Sequence, residues 1–133
     1  MNLDIISDIS KVGSATWNNL NVNDHPFTNY EFLYSLEKSK SVCTETGWYP
    51  QHIVLKDINN EIIGILPNYL KSHSYGEYVF DWGWAEAYER AGGKYFPKLL
   101  CGIPFTPIAG PRLMVAPSVN KQKNEIGKTL ATA

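Results

Sequence analysis

The sequence predicts an α+β fold in which helices come first and an antiparallel meander follows. Residues 29–39 follow a helix start signal, and two runs rich in β-branched residues flank an Asn pair between 52 and 70. Four Pro between 95 and 115 favour extended pieces and rigid turns. A chain of 133 residues is long enough to bury one real core.

The first helix is predicted over residues 7–20. Its apolar side is formed by residues at three- and four-residue steps, namely Ile9, Val12, Thr16 and Leu20. Gly13 inside this stretch weakens the helix but does not exclude it.

The second helix is predicted over residues 29–39. Thr28 and Glu31 match the S/T-x-x-E capping box, in which two side chains satisfy the first backbone N–H groups. Phe27, just before the cap, is expected to pack on Phe32 as a hydrophobic staple.

An antiparallel hairpin is predicted from residues 52–57 and 61–70. Asn59 and Asn60 tolerate the left-handed backbone angles that a tight turn requires. Pro67 removes a backbone donor, so we expect strand pairing to be interrupted there.

The stretch HSYGEYVFDWGWAEAYER, residues 73–90, holds the densest chemistry of the chain. Residues 77–84 alternate with period two, which predicts an extended segment with one aromatic face. That face consists of Tyr78, Phe80, Trp82 and Trp84, and the other of Glu77, Val79, Asp81 and Gly83. The aromatic side is expected in the core rather than as a platform for sugar rings. A short helix over 85–93 then pairs Glu86 with Arg90.

The predicted domain is residues 1–116, followed by a polar tail at 117–133 that is either a marginal helix or frayed. Charges of both signs are balanced and interspersed, so no DNA-binding surface is expected. Asp4 and Asp8 stand where a signal peptide carries positive charge, and no apolar run approaches the ~18 residues of a membrane span, which predicts a cytoplasmic protein. The two Cys are too isolated to predict a disulfide or a metal site.

Four segments together resemble the front half of the bacterial FemAB-like proteins. They are PFTNYEFLYSLEKS, GWYPQHIVL, LPNYLKSHSYGEYVFDWGWAEAYERAGGKYFPKL and IPFTPIAGPRL. Members of this family are described as predicted N-acyltransferases of peptidoglycan biosynthesis or recognition. The resemblance implies a GNAT-like unit, with a mixed, mainly antiparallel sheet and flanking helices, that transfers an acyl or aminoacyl group to an amine.

The resemblance also implies an acyl-coenzyme A or aminoacyl-tRNA donor and a small-molecule or cell-wall precursor acceptor. The sequence ends after KTLATA without the Gly-rich loop that would bind the phosphates of coenzyme A. We therefore expect this chain to be the N-terminal half of a two-unit protein. Alone, this half is expected to bind no cofactor and to be inactive.

Acyl transfer to an amine requires a base, donors for the oxyanion and an acid for the leaving group. The candidate catalytic residues are His73, Glu77 and Asp81, which share one parity of the predicted extended segment. They could equally be solvated polar groups. The candidate substrate-binding residues are Tyr75, Trp82, Trp84 and Arg112. The Gly-Pro turn before Arg112 would hold its guanidinium in a fixed direction for binding an anion. The alternative is a plain turn with Arg112 facing solvent.

Two other functions stay open from the sequence. One is a noncatalytic module that recognises a cell-wall peptide or glycan, and the other is a structural half-domain that acts by pairing. A homodimer through 78–84 and 95–105 would cover apolar surface. The alternative is that the tail folds back over that surface as a helix and leaves a monomer.

Overall fold

The computed structural model describes residues 1–21, 23–78 and 80–132. They form an α+β fold with four α-helices and two sheets, and every strand pair among them is antiparallel. The predicted α+β class with mainly antiparallel pairing is thereby confirmed. Val79, which the sequence assigned to an extended segment, lies outside the described residues.

The helices are α1 (Ser14–Leu20), α2 (Tyr30–Lys38), α3 (Trp82–Arg90) and α4 (Lys123–Ala131). The strands are β1 (Asn2–Ile6), β2 (Trp48–Pro50), β3 (His52–Lys56), β4 (Ile62–Leu66), β5 (Tyr69–Lys71), β6 (Lys98–Leu100) and β7 (Met114–Val115). Short 3-10 helices span Ile9–Lys11, Pro26–Thr28, Thr44–Thr46 and Pro117–Gln122. Sheet A has the strand order β1-β3-β4-β7, and sheet B has the order β2-β5-β6.

The predicted hairpin is confirmed as β3 and β4. Asp57 closes its turn by accepting hydrogen bonds from the backbone N–H groups of Asn59 (2.8 Å) and Glu61 (2.9 Å). Asn60 takes a left-handed φ of 66°, which Asn tolerates better than most residues. Of the two Asn predicted to take left-handed angles only Asn60 does so, and Asp57, which the sequence analysis did not name, supplies the hydrogen bonds that close the turn.

Strand pairing is interrupted at Pro67, as predicted. The chain leaves sheet A after β4 and enters sheet B with β5, and the opposite strand makes the same change between β2 and β3. The backbone N–H of Gln51 donates to the carbonyl of Asn68 at 2.8 Å across this corner. The result is one long bent hairpin whose two halves belong to different sheets.

The predicted helix over 7–20 is only partly correct. A 3-10 turn comes first, and α1 begins at Ser14, because Gly13 adopts a φ of 81° that breaks the helix. The sequence analysis missed β1, which pairs along the edge of β3. Leu3, Asp4 and Ile5 do alternate, but the two apolar side chains are exposed, so the pattern marks no buried face.

Helix α2 lies where it was predicted, but the capping box is wrong. The side-chain oxygen of Asn18, in α1, accepts the hydrogen bond from the Tyr30 N–H at 2.9 Å. Glu31 accepts from the Asn18 amide instead of reaching back. Thr28 is buried, and its hydroxyl donates to Asn21. A cap from the neighbouring helix therefore replaces the local one.

The hydrophobic staple beside this cap is confirmed, because the rings of Phe27 and Phe32 meet edge to face at 5.2 Å. At the other end of α2, Glu37 is 2.8 Å from the buried His52 ring on β3 and accepts from the Ile9 N–H. These contacts fix α2 against sheet A.

The polar tail is a helix, which is one of the two predicted alternatives. Ile126 and Leu130 of α4 are fully buried against sheet A. A Cβ atom on Gly64 of β4 would lie 3.1 Å from both side chains, so the helix packs directly on the strand backbone. Helix α4 thus covers sheet A and does not lie over the aromatic stretch.

The extended segment predicted at 77–84 is wrong. Gly76 (φ 80°) and Tyr78 (φ 58°) turn the chain, and α3 already begins at Trp82. A side chain at Gly76 would collide with the Phe105 ring, so the turn needs a glycine. Core packing of the aromatic face is also wrong, because its members are exposed: Tyr78, Phe80, Trp82 and Trp84. The acidic side chains turn inward instead.

Removal of the Leu130 side chain tests the packing of α4. We expect Leu130→Ala to lower the free energy of unfolding by about 3 kcal/mol, since it leaves a cavity against sheet A. Lys128→Ala on the exposed side of α4 is the matched control and should change it by less than about 0.5 kcal/mol. Denaturant unfolding measures the free energy of unfolding of both variants. Equally small changes in the two would mean that α4 is not packed on sheet A.

The homodimer through 78–84 and 95–105 stays a prediction. We expect light scattering to give a mass above the 15.0 kDa of one chain that rises with concentration. Trp84→Lys should return the mass to that of one chain, whereas Ile58→Lys, also at an exposed apolar position but in the β3–β4 turn, should not. A mass of one chain at every concentration would contradict the dimer.

Candidate active site

Sheet B carries three large side chains in one row. Trp48 of β2 pairs with Lys71 of β5, and Lys71 pairs with Lys98 of β6. Residues opposite each other on antiparallel strands project to the same face, so the indole ring and both ammonium groups are neighbours. Two like charges side by side repel. The row therefore requires a negative charge close by.

Glu77 supplies that negative charge from the loop after β5. Its Oε2 lies 2.8 Å from Lys98 Nζ and its Oε1 lies 3.9 Å from Lys71 Nζ. The Glu77 side chain is only 6% exposed, so water screens these attractions little. One carboxylate thus bridges two lysines of neighbouring strands.

Asp81 is the second carboxylate at Lys98. Its Oδ2 accepts hydrogen bonds from Lys98 Nζ and, at 2.7 Å, from the Tyr95 hydroxyl. Burial acts to raise the pKa of Asp81, but hydrogen bonds from Lys98, Ser74 and Tyr95 outweigh it and lower this pKa to about 2. Asp81 is therefore ionised throughout the neutral range.

Lys71 is the most enclosed charge of the group. Its Nζ lies 3.7 Å from the centre of the Trp48 ring and donates to the backbone carbonyl of Tyr75 at 3.0 Å. Burial lowers the pKa of Lys71 to about 8, with Glu77 opposing this change and Lys98 adding to it. Its charge can thus be removed close to neutral pH.

A cavity of about 580 Å³ opens beside these groups. Its lining includes Glu77, Asp81, Lys98, Arg112 and apolar side chains such as Ile103. Glu77 Oε1 and Asp81 Oδ1 accept no hydrogen bond from the described residues, but both atoms are covered by the protein, and Glu77 Oε1 lies 3.9 Å from Lys71 Nζ. Two carboxylates that each keep one oxygen without a hydrogen bond thus stand beside the cavity.

The structure unites only part of the predicted site. Glu77 and Asp81 meet at Lys98, although through a turn rather than through strand parity. Arg112 lines the same cavity, whereas His73 does not; its Nδ1 accepts a hydrogen bond from the Tyr75 N–H at 3.2 Å. Tyr75, Trp82 and Trp84 also lie outside the cavity lining and expose their rings.

The sequence analysis missed Lys98, which holds both carboxylates. A usable signal was present: Lys71 in NYLKSH and Lys98 in FPKLL both stand among apolar residues at strand positions. A lysine in such a place is seldom fully buried unless it is paired with an acid. Two such lysines, together with the acids of the dense stretch, point to an ion cluster.

The described residues contain no group of three His, Cys, Asp or Glu side chains that could hold a metal ion. Among the helices of those same residues, none has the length and apolar character needed to cross a membrane.

Comparison with known proteins gives one match. Residues 8–133 match the model of a family named FemAB-like, which is described by the terms peptidoglycan biosynthesis/recognition. The match covers nearly the whole chain and includes α4. No curated protein and no solved structure matches the chain.

The ion cluster should make stability depend on pH in acid. Because the Asp81 pKa is lowered from 3.8 to about 2, its contribution is complete above pH ~4 and is lost as the pH falls through ~2. Between these limits we expect the free energy of unfolding to fall by about 2 kcal/mol more in the wild type than in Asp81→Asn. Parallel pH curves from denaturant unfolding would contradict this.

Proposed function

The chain belongs to the FemAB-like family of peptidoglycan biosynthesis and recognition, and we propose that it is a GNAT-like unit of an N-acyltransferase. The reaction is transfer of an acyl or aminoacyl group to an amine of a peptidoglycan precursor. One observation carries this proposal: Glu77 and Asp81 line one cavity together, and one buried oxygen of each, Glu77 Oε1 and Asp81 Oδ1, accepts no hydrogen bond from the described residues.

An ammonium group suits these two oxygens. It has three N–H donors and a positive charge, and hydrogen bonds between ionised partners are about twice as strong as neutral ones. Lys71 and Lys98 balance the charges of Glu77 and Asp81, so the four groups keep one net negative charge only when Lys71, whose pKa is lowered to about 8, has lost its proton. The amine acceptor is thus the substrate that the cluster would hold.

The two carboxylates would have different roles. A carboxyl with a pKa of about 2 takes up a proton poorly at neutral pH, so Asp81 suits electrostatic binding of the ammonium. Glu77 is then the group to remove the ammonium proton; Lys71, 3.9 Å from its Oε1, opposes this uptake while it is charged and no longer does so once it has lost its own proton. The freed amine attacks the donor carbonyl, the C–S or C–O bond to the leaving group breaks, and the second proton of the attacking nitrogen passes to the leaving thiolate or alkoxide. The proposal gives His73 no part in this step.

The donor in this proposal is an acyl-coenzyme A or an aminoacyl-tRNA, and the acceptor is a cell-wall precursor of the cytoplasm. Both follow from the family resemblance and not from a contact of the described residues. Calorimetric titration with acetyl-coenzyme A and with an aminoacyl-tRNA tests the two donors separately.

A second candidate is recognition of a cell-wall glycan without catalysis. It is favoured by the exposed rings of Tyr78, Phe80 and Trp84, since flat aromatic faces stack on sugar rings. Trp84 is 77% exposed on α3, outside the cavity lining. Binding of a precursor with no transfer, lost in Trp84→Ala and kept in Glu77→Gln, would favour this candidate.

Substitution of the two acids tests the transferase. In the full-length gene product we expect Glu77→Gln and Asp81→Asn each to lower turnover by at least ~100-fold, the scale of a lost proton acceptor or charge partner. Glu86→Gln, an exposed acid on α3, is the matched control and should leave the rate unchanged. Circular dichroism must show all three variants folded. Normal turnover in both folded site variants would contradict the proposal.

A further inference from the structure

The chain from the end of β5 to the end of α3 is attached to sheet B mainly through one lysine. The ammonium group of Lys98, at the start of β6, has three N–H donors. Three acceptors of the segment lie within hydrogen-bond distance of it: Ser74 Oγ at 2.9 Å, Glu77 Oε2 at 2.8 Å, and Asp81 Oδ2. A single side chain of the sheet thus fastens three positions of residues 72–91.

The remaining polar attachments of this segment are few. Lys71 donates to the backbone carbonyl of Tyr75 at 3.0 Å, and the Tyr95 hydroxyl donates to Asp81 at 2.7 Å. In the described part of the chain, these two side chains and Lys98 make every side-chain hydrogen bond between residues 72–91 and the rest of the protein. The attachment is therefore concentrated in one small cluster of charges.

Apolar packing adds little to this attachment. Gly76 lies against the Phe105 ring, but Tyr78 and Trp84 turn their rings outward. Of the nine residues of α3, Ala85 alone is buried. A helix of this length is marginal in water unless one of its faces is packed on the protein. Helix α3 is thus expected to lose its structure when the cluster of charges releases it.

The backbone of the segment also favours movement. Tyr78 has a φ of 58°, a left-handed conformation that is strained for a bulky residue. Gly92 (φ 87°) and Gly93 follow α3, and glycine permits large changes of backbone angles, so this pair can serve as a hinge. The closed conformation therefore carries strain that its polar contacts must offset.

We propose that residues 72–91 form a lid on the cavity, which Lys98 holds closed and which opens while sheet A stays folded. The lid contributes Glu77 and Asp81 to the cavity lining, and the other lining residues lie outside the lid. Opening separates the two carboxylates from these residues and admits a ligand, and closure shields the ligand from water. This inference concerns access to the cavity and does not depend on which reaction takes place there.

Amide hydrogen exchange followed by mass spectrometry tests the lid on the chain of 133 residues. In the wild type we expect the hydrogen-bonded amides of α3 to exchange through an opening that low concentrations of urea hardly change, because it exposes little surface. The amides of β3 and β4 should exchange through unfolding that urea promotes. Exchange of both regions with the same dependence on urea would overturn the lid.

Two variants test the role of Lys98. Lys98→Met removes the three contacts, and we expect the amides of α3 to exchange at least ~10-fold faster while β3 and β4 remain protected. Ser74→Ala removes one contact and should accelerate the same exchange ~2- to 10-fold, the effect of one hydrogen bond. Lys94→Met, at an exposed lysine between α3 and β6, is the matched control and should leave the rate unchanged.

Unchanged exchange of α3 in Lys98→Met and in Ser74→Ala would overturn the inference. So would exchange of α3 in these variants that depends on urea as steeply as that of β3. The wild-type comparison and Ser74→Ala do not depend on whether Lys98→Met folds.

Discussion

The arrangement of the site depends on one constraint, the placement of Lys71 and Lys98 side by side in sheet B. Neighbouring ammonium groups inside a protein repel, and the register of β5 and β6 fixes the positions from which both side chains start. Glu77 resolves the conflict because each of its oxygens faces one lysine. The loop after β5 must therefore fold inward, and the conformation of the following residues results from that requirement.

The exposure of the aromatic residues is one consequence. Glu77 and Asp81 both reach Lys98, so the segment between them turns its charged side chains inward and Tyr78 and Phe80 outward. Hydrophobicity alone would favour placing these rings in the core. Leaving two buried lysines without a partner costs more free energy than burying the two rings would gain. The gain is small because both rings already keep part of their surface in contact with the protein.

The difference between contacts of neighbouring residues and contacts of distant residues explains how much of the structure could be predicted from the sequence. Local chemistry predicted the β3–β4 turn at Asn60, the interruption at Pro67 and the Phe27–Phe32 contact at the start of α2, because each depends on residues close in the chain. It placed Glu77 and Asp81 in the site but with the wrong geometry. Lys98 lies 21 residues from Glu77 and 17 from Asp81, and their contact depends on how the loop after β5 folds back onto β6, which no local pattern encodes.

A buried cluster of this kind is not needed for folding. Apolar side chains of similar volume are often as stable as a buried ion network, and a carboxylate oxygen without a hydrogen-bond donor adds a further cost. Glu77 Oε1 and Asp81 Oδ1 carry that cost in two residues that line a cavity, although both atoms are themselves covered by the protein. Packing alone would be served as well by apolar side chains, so the presence of the cluster beside the cavity argues for a functional role of its charges.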